Sequence, residues 1–328
     1  MTTIIDVARE AGVSFKTVSR VLNGESLVRA ETKDKVLAAA KSLDYRVNLA
    51  ARALRSKSPK RLALIIDNPS ISYVEATQIG AMLAVQSVGF QLFTEKSLAG
   101  IKEFDDLVGV ILSPPLSNDA AVLSELERRG IPFVRIGAEK TSEAGDRIGI
   151  DDRVAAKDMT NYLLGLGHRN IGFIKGDPDY DVSRRRYEGF LDAMSEADIP
   201  VRPNWCLTGD FSYESGLRCA EALLEASNRP SAIFASNDEM ASAALATAYK
   251  LNIRVPDALS VVGFDDSPVS RAVYPRLTTV QQATQEMVGQ AVRILADRIS
   301  SKDGPLANVT LSHKLLERDS TGKPTPKP

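Results

Sequence analysis

The amino-acid sequence predicts an α/β protein with an N-terminal helix-turn-helix head and a two-lobed core of doubly wound parallel sheets. Up to residue 47 apolar residues recur at helical spacing, whereas beyond Arg61 short apolar runs alternate with longer amphipathic segments. The number of these strand–helix units is larger than one sheet usually contains, which favours two similar lobes. A chain of 328 residues is long enough for two or three folding units with buried cores.

The head begins with two short helices on either side of Gly12. Thr3 can cap the first helix, with Asp6 three residues later as a short-armed capping box. Gly12 permits a sharp turn, and Ser14 is placed to cap the second helix. A third amphipathic helix, predicted over residues 32–44, completes a minimal bundle. The predicted bundle core consists of Val7, Ala8, Ala11, Val18, Val21, Leu22, Val36, Leu37, Ala40 and Leu43.

Charge is distributed unevenly along the chain. Thirteen basic and six acidic residues up to Arg61 give the head a net charge of +7, whereas the whole chain has −1 and the remainder therefore −8. This asymmetry is expected when only one end of a protein binds polyphosphate. The second helix has a polar, donor-rich N-terminal half that fits a DNA major groove. Helical hairpins of this kind also occur in other proteins, but the third helix and the basic charge favour DNA binding.

The core is predicted from its alternating strands and helices. The predicted strands are residues 62–67, 90–94, 108–113, 133–137, 171–175, 232–236 and 259–264. The predicted helices include residues 75–88, 119–129, 153–166, 184–196 and 239–251. Open α/β sheets bind ligands beyond the carboxyl ends of their strands, so two facing lobes would enclose a cleft that closes about a hinge.

Composition favours a cytoplasmic protein. No uninterrupted apolar run approaches the ~18 residues of a membrane span, and Met1 is followed by the first helix rather than by a signal-peptide pattern. Cys206 and Cys219 do not indicate a disulfide framework, and we expect them to be packing residues in a reducing compartment. Residues 321–328, rich in proline and lysine, are predicted to be a disordered tail.

The sequence does not show a pattern typical of an active site. Residues 165–172 resemble a dinucleotide-binding fingerprint, but they follow a predicted helix and precede a strand, the reverse of the required order. His168 and His313 have no nucleophile motif beside them, and we expect both to be structural. We therefore expect no enzyme activity, no catalytic residues, no cofactor and no metal.

Head and core together resemble the LacI/GalR family of bacterial transcriptional regulators over residues 2–319. The matching segments are IDVA at 5–8, VSRVLN at 18–23, LDYRVN at 43–48, ARAL at 51–54, LGHR at 166–169, SND at 236–238, VVGFDD at 261–266 and LTTV at 277–280. Each segment alone is weak, whereas their joint order is highly specific. The resemblance implies a core like that of periplasmic sugar-binding proteins, with two lobes joined by three crossovers.

The resemblance also implies the domain boundaries. The head would comprise residues 1–47, a hinge helix and linker 48–60, and an effector-binding core 61–320. Within the core, the first lobe would contain 61–165 and 284–310, and the second 166–283 and 311–320. The hinge is too short to form a stable helix alone in water. In such proteins it becomes helical on DNA, where Leu54 would wedge into the minor groove and the small Ala53 would allow close approach; alternatively, Leu54 packs against the core.

In the second helix of the head, the resemblance implies a set of DNA contacts. These are Ser14, Phe15, Lys16, Thr17, Ser19, Arg20 and Asn23. Phe15, Lys16 and Arg20 match positions that read base edges, and Arg20 is suited to a bidentate contact with guanine. Thr17, Ser19 and Asn23 would contact phosphates. For Thr17 and Ser19, a solvated helix face is almost equally well supported.

For the core, the resemblance implies an effector site. Its expected residues are Tyr73, Asp151, Arg184, Arg186, Phe211, Asn237, Asp265 and Gln282. Arginine and aspartate supply paired donors and acceptors for sugar hydroxyls, and Phe211 would stack on the apolar ring face. Asp151 and Arg184 are the weaker candidates, since Arg184 could instead be a surface residue. The first lobe lacks the aromatic pair that relatives often have, and only Tyr73 stands in that region.

These expectations combine into one function. The chain would be a sequence-specific DNA-binding transcriptional regulator, a homodimeric repressor on an approximately palindromic operator. A small-molecule effector, a sugar or glycoside, would control its operator affinity allosterically. The alternatives are a periplasmic sugar-binding protein, which the basic head argues against, and a sugar-processing enzyme, for which no active-site pattern is present. A bacterial cytoplasmic location at the nucleoid follows from the first interpretation.

Overall fold

The computed structural model describes residues 4–22, 29–43, 60–101, 106–138, 144–300 and 304–325. They belong to two compact units, Met1–Pro59 and Lys60–Pro328. In the first unit, the described helices are α1 (Ile4–Glu10), α2 (Phe15–Leu22) and α3 (Ala30–Ser42). Gly12 has a φ of +63°, and the Ser14 hydroxyl accepts a hydrogen bond from the Thr17 N–H at 3.2 Å. The predicted turn and the predicted cap of α2 are therefore both confirmed.

The head is built around a small apolar core. Val7, Ala8, Val18, Val21, Val36 and Ala39 are buried, with Ala11, Val13, Ala40 and Leu43 packed against them. The prediction that Leu37 faces this core is wrong, because its side chain is 45% exposed. It follows Val36 by one residue, so it points about 100° away from the buried stripe. Thr3 and the side chain of Leu22 lie outside the described part of the chain.

The second unit contains the strands and helices of the core. The described strands are β1 (Arg61–Ile65), β2 (Gln91–Glu95), β3 (Leu107–Leu112), β4 (Phe133–Ile136), β5 (Asp146–Ile150), β6 (Ile171–Lys175), β7 (Cys206–Thr208), β8 (Ala232–Ala235), β9 (Ser260–Val262), β10 (Thr279–Gln281), β11 (Asn308–Leu311) and β12 (Lys314–Leu316). The described helices are α4 (Ile71–Val88), α5 (Ala120–Arg128), α6 (Asp152–Gly165), α7 (Asp181–Glu196), α8 (Tyr213–Leu224), α9 (Asp238–Lys250), α10 (Pro268–Ala272) and α11 (Thr284–Ser300).

The first lobe is a six-stranded parallel sheet in the order β11-β5-β4-β3-β1-β2. Along β1, Leu62 and Leu64 pack into the cluster that includes residues of α4 and α11, whereas Ala63 and Ile65 pack into the cluster that includes residues of α5. Both faces of the strand are therefore covered by helices. This is why its sequence is a continuous apolar run rather than an alternating one.

The second lobe has a four-stranded parallel sheet in the order β7-β6-β8-β9, next to an antiparallel pair of β10 and β12. Phe173 packs with residues of α6 and α7, and Ile174 packs with residues of α8 and α9. The sheet is thus covered on both faces, as the doubly wound prediction requires.

The border between the lobes differs from the expected one. Helix α6 packs on α7 of the second lobe so closely that a Cβ added at Gly189 would lie 2.0 Å from the main-chain oxygen of Arg153. The chain therefore leaves the first lobe between Ile150 and Asp152, not near residue 165. The other two connections are short and lie between β10 and α11 and between β11 and β12.

The tail is more ordered than the sequence predicted. The Tyr162 hydroxyl lies 2.8 Å from the Thr321 hydroxyl, and the Gly322 N–H donates to the Ser260 hydroxyl at 3.0 Å. The disordered tail was thus wrongly predicted for residues 321–325, because Pro and Lys composition cannot reveal such contacts, while residues 326–328 lie outside the described ranges. His168 is buried beside this segment, with its ring nitrogens 2.9 Å from the hydroxyls of Ser231 and Ser260.

Candidate functional site

A cavity lies between the two lobes of the core. From the first lobe it is lined by Asn68, Ser70, Tyr73, Pro114, Ile136, Gly137, Ile150 and Met287. From the second lobe it is lined by Asp152, Tyr180, Val182, Arg186, Phe211, Asn237, Asp265 and Gln282. Most of these residues end a parallel strand or follow one closely. The cavity therefore lies where the carboxyl ends of both sheets meet, the usual ligand position in α/β folds.

Arg186 forms the charged centre of this cavity. Its side chain is only 4% exposed, and its Nε donates to a carboxylate oxygen of Asp152 at 2.9 Å. Its Nη1 donates to the main-chain oxygen of Ser236 at 2.6 Å and lies 3.6 Å from a carboxylate oxygen of Asp265. The guanidinium also stacks 3.7 Å from the centroid of the Phe264 ring. These contacts hold the arginine in one orientation between two carboxylates.

Asp265 is held in an unusual backbone conformation at the end of the β9 segment. Its φ is +118° and that of Asp266 is +56°, and residues other than glycine rarely adopt such positive values. The Gln282 amide donates to the Asp265 carboxylate at 2.5 Å. Burial raises the pKa of Asp265 well above its usual value, and the nearby Arg186 opposes this rise. The strained turn thus directs a carboxyl group of weakened acidity into the cavity.

Asn237 and Phe211 are positioned together. The Asn237 side chain caps α9 by accepting the Met240 N–H at 3.0 Å, and its amide donates to the main-chain oxygen of Phe211 at 2.8 Å. Phe211 has a φ of +70° and packs directly on Gly176, where an added Cβ would lie 2.0 Å from the ring. Tyr180 meets the same ring edge-on at a centroid distance of 5.5 Å. The aromatic wall of the cavity is therefore rigid.

Six of the predicted effector residues line this cavity: Tyr73, Arg186, Phe211, Asn237, Asp265 and Gln282. Burial raises the pKa of Tyr73, while a hydrogen bond with Ser113 lowers it to a smaller extent. Asp151 and Arg184 do not line the cavity. Asp151 caps α6 by accepting the Val154 N–H at 3.2 Å.

Arg184 lies on the outer face of α7. It is 49% exposed and pairs with Asp181 at 2.5 Å and Glu188 at 2.6 Å. A helix rotates by about 100° per residue, so a side chain two positions before Arg186 points to the opposite side. The two predicted residues that do not line the cavity are thus offset by one and two residues from Asp152 and Arg186, which do.

Sequence reasoning missed several lining residues that share one feature. Asn68, Pro114, Ile136 and Ile150 end strands of the first sheet or follow them, and Tyr180 follows β6 in the second. The rule that ligands lie at carboxyl ends of strands would have identified these positions. Asp152 and Met287 lie in the first turns of α6 and α11, the elements where the chain crosses between lobes.

On the head, α2 presents the predicted reading residues to solvent. Phe15, Lys16 and Arg20 are exposed, and the Ser14 and Thr17 hydroxyls lie 2.9 Å apart. The side chain of Ser19 lies outside the described residues, as do Asn23, Ala53 and Leu54. Within the described part of the chain, no helix is both long and apolar enough to cross a membrane. The same residues contain no cluster of three or more side chains arranged to bind a metal.

Comparison with known proteins agrees with both parts of this architecture. Residues 3–48 match the model for bacterial regulatory proteins of the lacI family, and residues 160–321 match the periplasmic binding protein-like domain. Catabolite control protein A of Priestia megaterium is 32% identical over 97% of this chain and 99% of its own length. The repressor PurR of Haemophilus influenzae Rd is 33% identical over 92% of this chain and 93% of its own.

Solved structures show the same similarity. The regulator CelR in complex with cellobiose has a TM-score of 0.73 at 29% identity and covers 98% of this chain and 100% of its own. The lac repressor dimer bound to operator and the anti-inducer ONPF has a TM-score of 0.72 at 26% identity. The match covers 98% of this chain and 99% of the lac repressor chain. The matched head, the matched core and full-length relatives above 30% identity agree with one another. The chain therefore belongs to the LacI family of bacterial regulatory proteins and is a DNA-binding transcriptional regulator.

Proposed function

We propose that this protein is a homodimeric repressor whose affinity for an approximately palindromic operator is set by a neutral sugar or glycoside bound between the lobes. The observation that supports this most directly is the cavity itself, in which Arg186 is balanced by Asp152 and Asp265 opposite an aromatic and aliphatic wall. Such a surface combines directed polar groups with apolar area, as a sugar ring requires.

The charge of the cavity favours a neutral ligand. Among the described lining residues, one arginine stands beside two aspartates, and burial favours the protonated form of Asp265. A phosphate or carboxylate ligand would need a surplus of positive charge, which this balance does not provide. Carboxylate and amide groups suit hydroxyls instead, and CelR, which matches this chain along its length, was solved with cellobiose.

DNA recognition is proposed for α2 and the hinge. Phe15, Lys16 and Arg20 are exposed on one short helix whose opposite side is the core of the head. We assign base reading to these three residues and phosphate contacts to the polar side chains beside them, Ser14, Thr17, Ser19 and Asn23. Ala53 and Leu54 are assigned to the minor groove. The match to an operator-bound lac repressor supports this arrangement.

Homodimerisation is supported by large apolar side chains on the surface of the core. Ile71, Met82 and Leu83 on α4 are exposed, as are Tyr249 and Tyr274 in the second lobe. Exposed apolar groups of this size typify protein interfaces. Their spread over both lobes fits a contact that involves both.

Replacing Leu83 with glutamate should raise the dissociation constant of the dimer at least tenfold, because a charge would be buried in the interface without a partner. Leu83 is 62% exposed in the single chain, so the change should leave the fold intact. Sedimentation velocity across a concentration series measures the effect. Val154→Glu, which changes another exposed apolar residue, is the matched control. If Leu83→Glu sediments like the parent, α4 is not part of the interface.

The ligand class can be tested by thermal unfolding with paired sugars. Cellobiose and glucose should be compared with glucose 6-phosphate and glucuronate. We expect a neutral sugar to raise the unfolding temperature, because a ligand that binds only the folded state stabilises it. The same sugar should change operator affinity in a gel-shift assay. Stabilisation by the anionic sugars alone would contradict the assignment of a neutral ligand.

A further inference from the structure

Glu239 connects the two lobes of the core outside the predicted set of ligand contacts. It is the second residue of α9 in the second lobe. One of its carboxylate oxygens accepts a hydrogen bond from the Ser70 hydroxyl at 3.0 Å and another from the Ser72 N–H at 3.1 Å. Both donors belong to the start of α4 in the first lobe. The side chain of one lobe therefore caps a helix of the other.

The physical chemistry of this contact makes it strong. The N-terminus of the 18-residue helix α4 bears partial positive charge, which favours a carboxylate. The hydrogen bonds that Glu239 accepts are charge-assisted. Because Glu239 is partly buried, water screens them less than it would on an open surface. Ser70 already caps α4 from within by accepting the Tyr73 N–H at 3.3 Å. Glu239 adds a second cap that exists only while the lobes approach each other as observed.

The same glutamate is joined to the cavity. Its other carboxylate oxygen accepts from the Asn237 amide at 3.0 Å, and Asn237 lines the cavity. Across the gap, Ser70 and Tyr73 also line the cavity. The hydrogen bonds of Glu239 thus hold side chains that line the cavity in both lobes. Ligand binding in the cavity and closure of the lobes therefore depend on the same residues.

We propose that Glu239 is an interlobe latch, a positioning residue that keeps the core closed in the absence of ligand and sets how readily it opens. Without this carboxylate, the lobes would separate more often, and the first-turn amides of α4 would become accessible to solvent. The latch does not depend on the identity of the effector. It predicts a measurable property of the ligand-free protein.

The test compares Glu239→Gln with Glu214→Gln in the full-length protein without ligand. Glu214 is the second residue of α8 and is exposed, so it matches the position and chemistry of the change. Hydrogen–deuterium exchange followed by mass spectrometry reports on the amides of Ser72 and Tyr73. We expect exchange there about tenfold faster or more in Glu239→Gln, because a neutral amide oxygen accepts more weakly than a carboxylate and no longer complements the positive end of α4. Small-angle scattering should show a larger radius of gyration.

Two results would overturn the latch. In the first, Ser72 and Tyr73 exchange at the parent rate in Glu239→Gln. In the second, exchange accelerates equally throughout the core, which would show general destabilisation rather than lobe opening. The Glu214→Gln protein should match the parent in both measurements.

Discussion

Replacing Arg186 with methionine is expected to destabilise the core by about 1.5–3 kcal/mol, because it removes a charge-assisted hydrogen bond to the buried carboxylate of Asp152, which keeps Arg185 as its second partner at 3.2 Å. Asp152 is almost fully buried, and Arg186 donates to it at 2.9 Å. The change also removes the donor to the Ser236 main-chain oxygen. Methionine retains much of the arginine's volume, so packing against Phe264 should be little affected. Urea unfolding, followed by fluorescence, measures the loss as a lower midpoint.

Arg184→Met is the control for this experiment. It removes the same group from the same helix, but from an exposed ion pair, which contributes about 0–1 kcal/mol. We also expect Arg186→Met to lose the thermal stabilisation by neutral sugar, whereas Arg184→Met should keep it. If the two variants unfold at the same urea concentration, the buried cluster does not stabilise the core in the way described.

Replacing Arg20 with methionine should weaken operator binding by about 1–3 kcal/mol, roughly 5- to 150-fold, the value of one bidentate base contact. Arg20 is exposed near the end of α2. The probe is the duplex that the parent protein selects from a random library. Because the lost contact is to a base, the variant should also tolerate substitution at one position in each half-site, which a titration of single-base variants would reveal.

Arg9→Met controls for the loss of charge. Arg9 is an exposed arginine of α1 beside Asp6, so its replacement changes the net charge of the head by the same amount. We expect it to weaken binding to all duplexes alike and only modestly, since it would contribute long-range attraction rather than base reading. Equal losses for Arg20→Met on selected and unrelated DNA would contradict a reading role.

Much of the fold could be predicted because its signals are local. Every predicted strand of the core appears, with ends shifted by no more than three residues, because buried parallel strands are short apolar runs. The strands that were missed are short or contain charged or exposed residues. β7, β10 and β12 contain three residues each, and β11, at the edge of its sheet, alternates exposed with half-buried residues. β5 is buried but begins with Asp146 and Arg147, which interrupt the apolar pattern. Their pairing depends on partners far along the chain, which a local pattern cannot show.

The candidate site was predicted in part for the same reason. Asp265 and Asn237 belong to motifs with a fixed position after a strand, and both line the cavity. Asp151 was chosen although its neighbour Asp152 lines the cavity, and Arg184 was chosen together with Arg186, of which only Arg186 lines it. The choice between neighbouring aspartates or arginines depends on which side of a helix packs against the lobe, and composition does not contain that information.

By itself, the sequence determined that this protein has a basic helical head, an acidic α/β core of two lobes and membership of one regulator family. These follow from periodicity, from charge and from the order of short motifs. Only the tertiary structure decided that α6 belongs to the second lobe, that residues 321–325 are held in place, and that Glu239 of the second lobe caps α4 of the first. The physical reason is that these features arise from contacts between segments tens to hundreds of residues apart, whose geometry exists only once both lobes have folded.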